Sequence, residues 1–167
     1  QGGLARAVAA HHAEALAVVR RVLAGSLATA VAGAGEEGIA PLRALLLDRG
    51  GRPQATSFVF GDRLPATSAA LLNATMARAL DFCDAMAPGV HVGSSVVPAA
   101  LAASEAVGAC TGEAFLRALV IGCEIGARFN LTEEMYDGLD PTGVAAVFAA
   151  TAAAGSIVGL SDDQMLH

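Results

Sequence analysis

Apolar residues recur at steps of three and four along almost the whole chain, and clusters of Gly and Pro cut that rhythm into short segments. A period near 3.6, repeatedly interrupted, leaves a set of packed helices as the only economical fold. Residues 11–31 place Leu16, Val19, Leu23, Leu27 and Val31 on one stripe, the mark of an amphipathic helix, with Gly33 and Gly35 beyond its end. A second, short helix is expected over 41–47, stopped by the turn cluster Asp48-Arg49-Gly50-Gly51-Arg52-Pro53. A third covers 65–82, with Pro65 at its first turn. Further helices cover 97–107, with Pro98 in the first turn, and 111–129, capped by Thr111 and opening with Glu113. The last covers 141–158. Only residues 56–60, Thr-Ser-Phe-Val-Phe, have the β-branched and aromatic character of a short strand. No fixed repeat and no Pro- or Ser-rich linker divides the 167 residues, so the chain reads as one all-α domain.

Composition then limits what such a domain can meet. Apolar residues make up 54 % and charged residues only 16 %, too few to coat a body of this size. Some apolar surface is therefore expected to face another subunit, giving a homo-oligomer, or the remainder of a larger protein. The net charge is −6, all ten basic residues are Arg, and there is one Tyr and no Trp. Without a basic stripe or a stacking platform, nucleic-acid binding is excluded. The absence of Lys excludes a Schiff base on this chain. Cys83, Cys110 and Cys123 are odd in number and lack CxxC spacing, as expected of reduced thiols. Residues 1–6 lack the charged, apolar and small pattern of a secretion signal, and a cytoplasmic location is expected. Residues 141–160 carry no charge, but they are mostly Ala, Gly, Thr and Val between acidic flanks, Asp137 and Asp140 before and Asp162 and Asp163 after. That pattern suits a buried helix better than a membrane anchor.

Candidate chemistry concentrates between Asp81 and Ser95. Asp81 and Asp84 fall in or just past a last helical turn, where the macrodipole opposes a carboxylate by roughly 0.3–1 kcal/mol. Three residues apart, they can share a face and raise each other's pKa, as acid/base work requires. His91, the one histidine outside the termini, follows in a loop able to fold back over them as a proton shuttle. Gly93-Ser94-Ser95 leads into the helix near Val96, offering hydroxyls and free amides to an anion such as a carboxylate. Asp140-Pro141-Thr142-Gly143 is a second helix start with similar equipment. Each residue alone also fits a bland role: Asp84 a surface turn, Ser94 or Ser95 an N-cap, His91 a hydrogen-bonded loop histidine. Asp81, Asp84 and His91 have the right types for a divalent ion, but their spacing matches no metal motif. His11 and His12 suit an exposed helix start, and Asp62 a turn. GxSxG, P-loop and dinucleotide fingerprints are all absent.

The order Ala79-Leu80-Asp81-Phe82-x-Asp84, then His91-x-Gly93-Ser94, then Val97-Pro98-Ala99-Ala100-Leu101-Ala102 resembles the signature of the MmgE/PrpD family. That family includes 2-methylcitrate dehydratase and cis-aconitate decarboxylase. The resemblance extends through Ala32-Gly33, through 69–74, through 118–125 with Arg128, and through 138–160, so it covers nearly the whole chain. It implies the helical N-terminal domain of a longer protein, paired with a smaller α/β lid and usually dimeric. It also implies no metal or organic cofactor, and a site for small di- and tricarboxylates between the two domains. By motif position Asp81 and His91 fall on residues the family uses for catalysis, and Gly93-Ser94 falls beside the substrate.

Three departures stand out. Cys83 replaces the first Asp of the family's Asp-Asp pair, Ala85 replaces a common Thr, and Asp140 stands where Gly-x-His-Pro-Thr would put a second catalytic His. The family's downstream Lys and its lid would lie beyond His167. Two functions are therefore expected to compete. One is a lyase-like enzyme, or a subunit of a split one, in which Asp81 and His91, with Asp84 and Asp140 nearby, transfer protons on a small di- or tricarboxylate held at Gly93, Ser94, Ser95 and Thr142. The other is a non-catalytic scaffold or partner for an active companion carrying the lid; an isomerase on the same fold is a further variant.

Overall fold

The computed structural model describes residues 12–108, 110–130, 133–135 and 138–166. Helix α1 (His12–Gly33) buries Val19, Ser26, Thr29, Ala30 and Gly33, a face of mostly small side chains. Val31, expected on the apolar stripe, is 64 % exposed. The rest of the stripe faces the core, with Val19 buried and Leu16 and Leu23 packed against it; only the helix end departs, where the backbone lies so close to its neighbour that a Cβ on Gly33 would run into the Met76 carbonyl. His11 lies outside the described residues.

Helix α2 (Ile39–Arg49) starts two residues earlier than expected and buries Ile39 and Leu46, two turns apart. Gly50 and Gly51, at φ 60° and 115°, end it with a reversal that a residue with a Cβ would resist. The expected extended segment is shorter than its composition suggests. Strand β1 (Ala55–Thr56) pairs antiparallel with β2 (Arg63–Leu64), while Ser57 to Phe60 turn. Asp62 closes that turn: its N–H donates to Ser57 Oγ at 2.9 Å, and Arg43 donates to both carboxylate oxygens at 2.6 and 2.7 Å. Buried Asn73 then ties the ribbon to the helix that follows it, donating to Thr56 O at 3.0 Å and accepting from Phe58 N at 2.9 Å.

Helix α3 (Ala66–Arg78) is shorter than the expected 65–82, and α4 (Gly93–Val107) begins four residues before its expected start. Pro98 accordingly falls in the second turn of α4. Helix α5 (Gly112–Arg128) is capped by Thr111, whose Oγ1 accepts from Ala114 N at 3.1 Å. A 3-10 turn (Glu133–Met135) leads to α6 (Pro141–Val158) and the short α7 (Asp162–Leu166), which the sequence reading lacked. The inner core joins Val19, Val92, Val96, Val97, Leu119 and the Ala145–Ala149–Ala153 face of α6. Gly122 and Gly126 let α5 approach that face: added Cβ atoms would meet Val96 and the Ala149 carbonyl, and Val92. A second core lies under α2, the ribbon and α3 around Leu46, Leu64, Leu72 and Met76. Helices α1 and α6 are both long and apolar enough to cross a membrane. The buried alanine face of α6 against α4 and α5 accounts for its composition as a core helix.

Candidate functional site

The segment between α3 and α4 carries the candidate chemistry, and its path is set by where α3 stops. Asp81 adopts φ 56°, a left-handed conformation that Asp tolerates better than most residues, and its N–H donates to Arg78 O at 3.0 Å. The helix therefore ends at Arg78 rather than at Phe82. Asp81 and Asp84 then share no helical face, contrary to the expectation from their spacing. Asp81 points outward, its side chain 73 % exposed, and pairs with Arg78. Asp84 turns inward.

The chain next folds on itself. Met86 and Val90 exchange backbone hydrogen bonds at 2.8 and 3.0 Å, and Asn130 at the end of α5 donates to the carbonyls of Met86 and Ala87 at 3.3 and 2.6 Å. This brings His91 back beneath Asp84, as the spacing predicts, though its partner is the backbone carbonyl and not the carboxylate: Nδ1 lies 2.8 Å from Asp84 O. A carbonyl only accepts, so Nδ1 carries the hydrogen, and in the neutral ring Nε2 holds the lone pair. The main chain of His91 is fixed on both sides. Its N–H donates to Thr142 Oγ1 at 3.2 Å, and its carbonyl accepts from Ser94 Oγ at 3.2 Å.

Gly93, Ser94 and Ser95 form the first turn of α4 itself, and most of the amides expected to be free there have partners. Gly93 N–H donates to Asp84 Oδ2 at 3.1 Å, while Ser95 and Val96 donate to Val92 O at 3.1 and 2.8 Å. Asp84 thus plugs the helix start, and Gly93 has no Cβ because Asp84 and Val22 occupy the space. The other oxygen, Oδ1, is buried without a protein partner. Burial pushes the Asp84 carboxyl above the usual carboxylate range, against the pull of the Gly93 hydrogen bond. On the facing α5, the Cys123 thiol is pushed up to about 12 by its own burial and then by the charges of Asp84 and Glu124.

The second helix start is filled in the same way. Asp140 caps α6, accepting from Thr142 N and Gly143 N at 3.0 Å each. Between the starts of α4 and α6 and the last turn of α3 lies a groove of about 440 Å³, to which Arg78, Ser94, Ser95, Asp140 and Thr142 contribute. Arg78 was not among the residues singled out from sequence. A cation in a last helical turn complements the macrodipole and so reads as structural. Here Arg78 contacts Asp81 and, at 3.7 Å, Cys83 Sγ, which in turn lies 3.7 Å from His91 Nδ1. Asp81 and His91 are thereby joined through Arg78 and Cys83, with no direct hydrogen bond between them. No three His, Cys, Asp or Glu side chains converge in a metal-binding cluster among the described residues.

No curated protein matches the chain. The family model for the MmgE/PrpD N-terminal domain matches residues 3–167, a span that takes in every helix described above, the Asp81–Ser95 segment and the start of α6. The chain belongs to the MmgE/PrpD family, as its N-terminal domain.

Proposed function

We propose that this chain is the proton-transfer half of a lyase-like enzyme acting on a small carboxylic acid, working with a lid carried by another segment or a second polypeptide. The observation that carries this reading is the fixed tautomer of His91. Nδ1–H is committed to the Asp84 carbonyl, which leaves Nε2 as the ring's free basic atom. His91 Nε2 takes the proton from the carbon next to the substrate carboxylate, and the C–H electron pair becomes the new C=C bond as the C–O bond breaks. The hydroxyl departs as water on receiving a proton, and His91, now imidazolium, is the donor. For a decarboxylating substrate His91 enters the reaction already protonated by solvent, and this imidazolium protonates the carbanion left when CO₂ departs.

The other residues hold this arrangement. Asp84 supplies the carbonyl that orients the ring and the carboxyl that fixes α4. Ser94 and Thr142 spend their hydroxyls on the His91 main chain, which leaves Ser95 as the α4 hydroxyl for substrate. Asp81 holds Arg78, and Asp140, capping α6, replaces an imidazole with an acid at that wall. That replacement favours an elimination or isomerisation served by one base.

The test is turnover. The chain, alone and with a lid-bearing companion, is incubated with 2-hydroxy and unsaturated di- and tricarboxylates, and products are read by mass spectrometry. His91→Gln is expected to lower turnover at least a hundredfold and Asp81→Asn about tenfold. Full activity of His91→Gln overturns the proposal. The scaffold reading is favoured by one observation, the exposure of Phe82, Val147, Phe148 and Leu139 as surface for a partner. It prevails if no mixture turns over any substrate and Asp81→Asn changes nothing in the cell.

A further inference from the structure

The groove described above has an unusual charge inventory. Among the described residues Arg78 is the one cation lining it, and its side chain is 37 % exposed. Its hydrogen bonds leave from Nη1, toward Asp81 and Cys83; among the described residues none leaves from Nε or Nη2. A guanidinium held at one nitrogen keeps a planar edge of two donors, the geometry that matches a carboxylate. Asp140 lines the same groove and cannot swing away, because two α6 amides hold its carboxylate. At α4 the Gly93 amide is occupied by Asp84, and at α6 the Thr142 and Gly143 amides are occupied by Asp140. One cation thus works against a fixed anion in the same groove.

We propose that Arg78 is the carboxylate anchor of this groove, and that Asp140 makes it selective for a single carboxylate, so that this chain grips one acid group and repels a second. The proposal rests on the small-carboxylic-acid reading above but not on proton transfer. A substrate with two or three carboxylates needs cations from outside this chain for the others.

The test uses the whole chain and three saturated acids that undergo no elimination: propionate, succinate and tricarballylate, titrated by NMR at fixed ionic strength. Wild type is expected to bind propionate at least as tightly as the two polyacids. Arg78→Gln is expected to weaken propionate binding about tenfold, and Arg78→Lys less, since it keeps the charge but loses the fork. Asp140→Asn removes the charge and keeps a helix cap, its single acceptor oxygen serving where two carboxylate oxygens did, and is expected to tighten succinate at least threefold more than propionate. Unchanged propionate binding in a folded Arg78→Gln, or equal affinities for all three acids in wild type and Asp140→Asn, overturns the proposal. If Arg78→Gln does not fold, the Asp140→Asn comparison decides alone. Arg78-dependent binding without turnover sinks the proton-transfer reading and leaves the anchor standing. Turnover lost in His91→Gln, with propionate binding intact in Arg78→Gln, does the reverse.

Discussion

Two aspartates of this chain respond to their surroundings in opposite directions. The bidentate Arg43 pair holds the Asp62 carboxyl below the usual carboxylate range, with Ser57 adding to the effect against partial burial. A folded-state pKa below the unfolded value contributes stability above the unfolded pKa, near 3.9, and loses it as pH falls through the folded value. Asp62→Asn is therefore expected to cost on the order of 1 kcal/mol at pH 7, discounted for the partly exposed Arg43, with the gap closing below about pH 4. Urea denaturation between pH 3 and 7 measures it; a gap that widens toward acid contradicts the pairing. Burial raises Asp84 instead, so its contribution is fullest below its unfolded pKa and is lost as pH rises through the folded one. The sequence showed Asp84 and His91 close in number, and the fold brings them together. What it could not show was which atom of Asp84 meets the ring. That depends on Asp81 taking a left-handed turn and on Asn130, nearly forty residues further along than His91, holding the returning loop.

Among the elements, α5 and α6 were legible almost to the residue, because Thr111, Asp140 and Pro141 announce their starts in side-chain chemistry. The end of α3 and the start of α4 were not, since the left-handed turn at Asp81 that stops α3 is a matter of backbone geometry. In α1 the local reading put Val19, Leu16 and Leu23 against the core correctly and missed only at the last turn, where close approach brings Ala30 and Gly33 inside and leaves Val31 outside. Glycines in these helices consequently divide into two kinds. Gly126 faces Val92 and Ala149 across the α5–α6 contact, and Gly126→Val is expected to destabilise by about 1–3 kcal/mol through overpacking. Gly25 in α1 is exposed with open space around it, and Gly25→Ala is expected to stabilise by about 0.5–1 kcal/mol. Thermal melts of the two variants should move in opposite directions; a lower midpoint for Gly25→Ala would show that α1 is covered at that point.

At the scale of the molecule, composition anticipated apolar surface and the structure locates part of it: Phe82, Phe129, Phe148, Val147, Met135 and Leu139 all stand well out of the core. Large side chains in that number on a small domain favour self-association. Sedimentation at micromolar concentration is expected to give species larger than the 16.6 kDa monomer. A single monomeric boundary with no binding of an apolar dye would refute it. Two of these side chains, Phe129 and Phe148, stack at 4.1 Å with their planes 9° apart. Phe129 precedes the Asn130 that grips the loop before His91, and Phe148 rides on the helix whose first turn supplies Thr142. The two rings therefore lean on separate struts of one imidazole, and replacing either ring with alanine is expected to loosen the hold on His91 from that side without touching it.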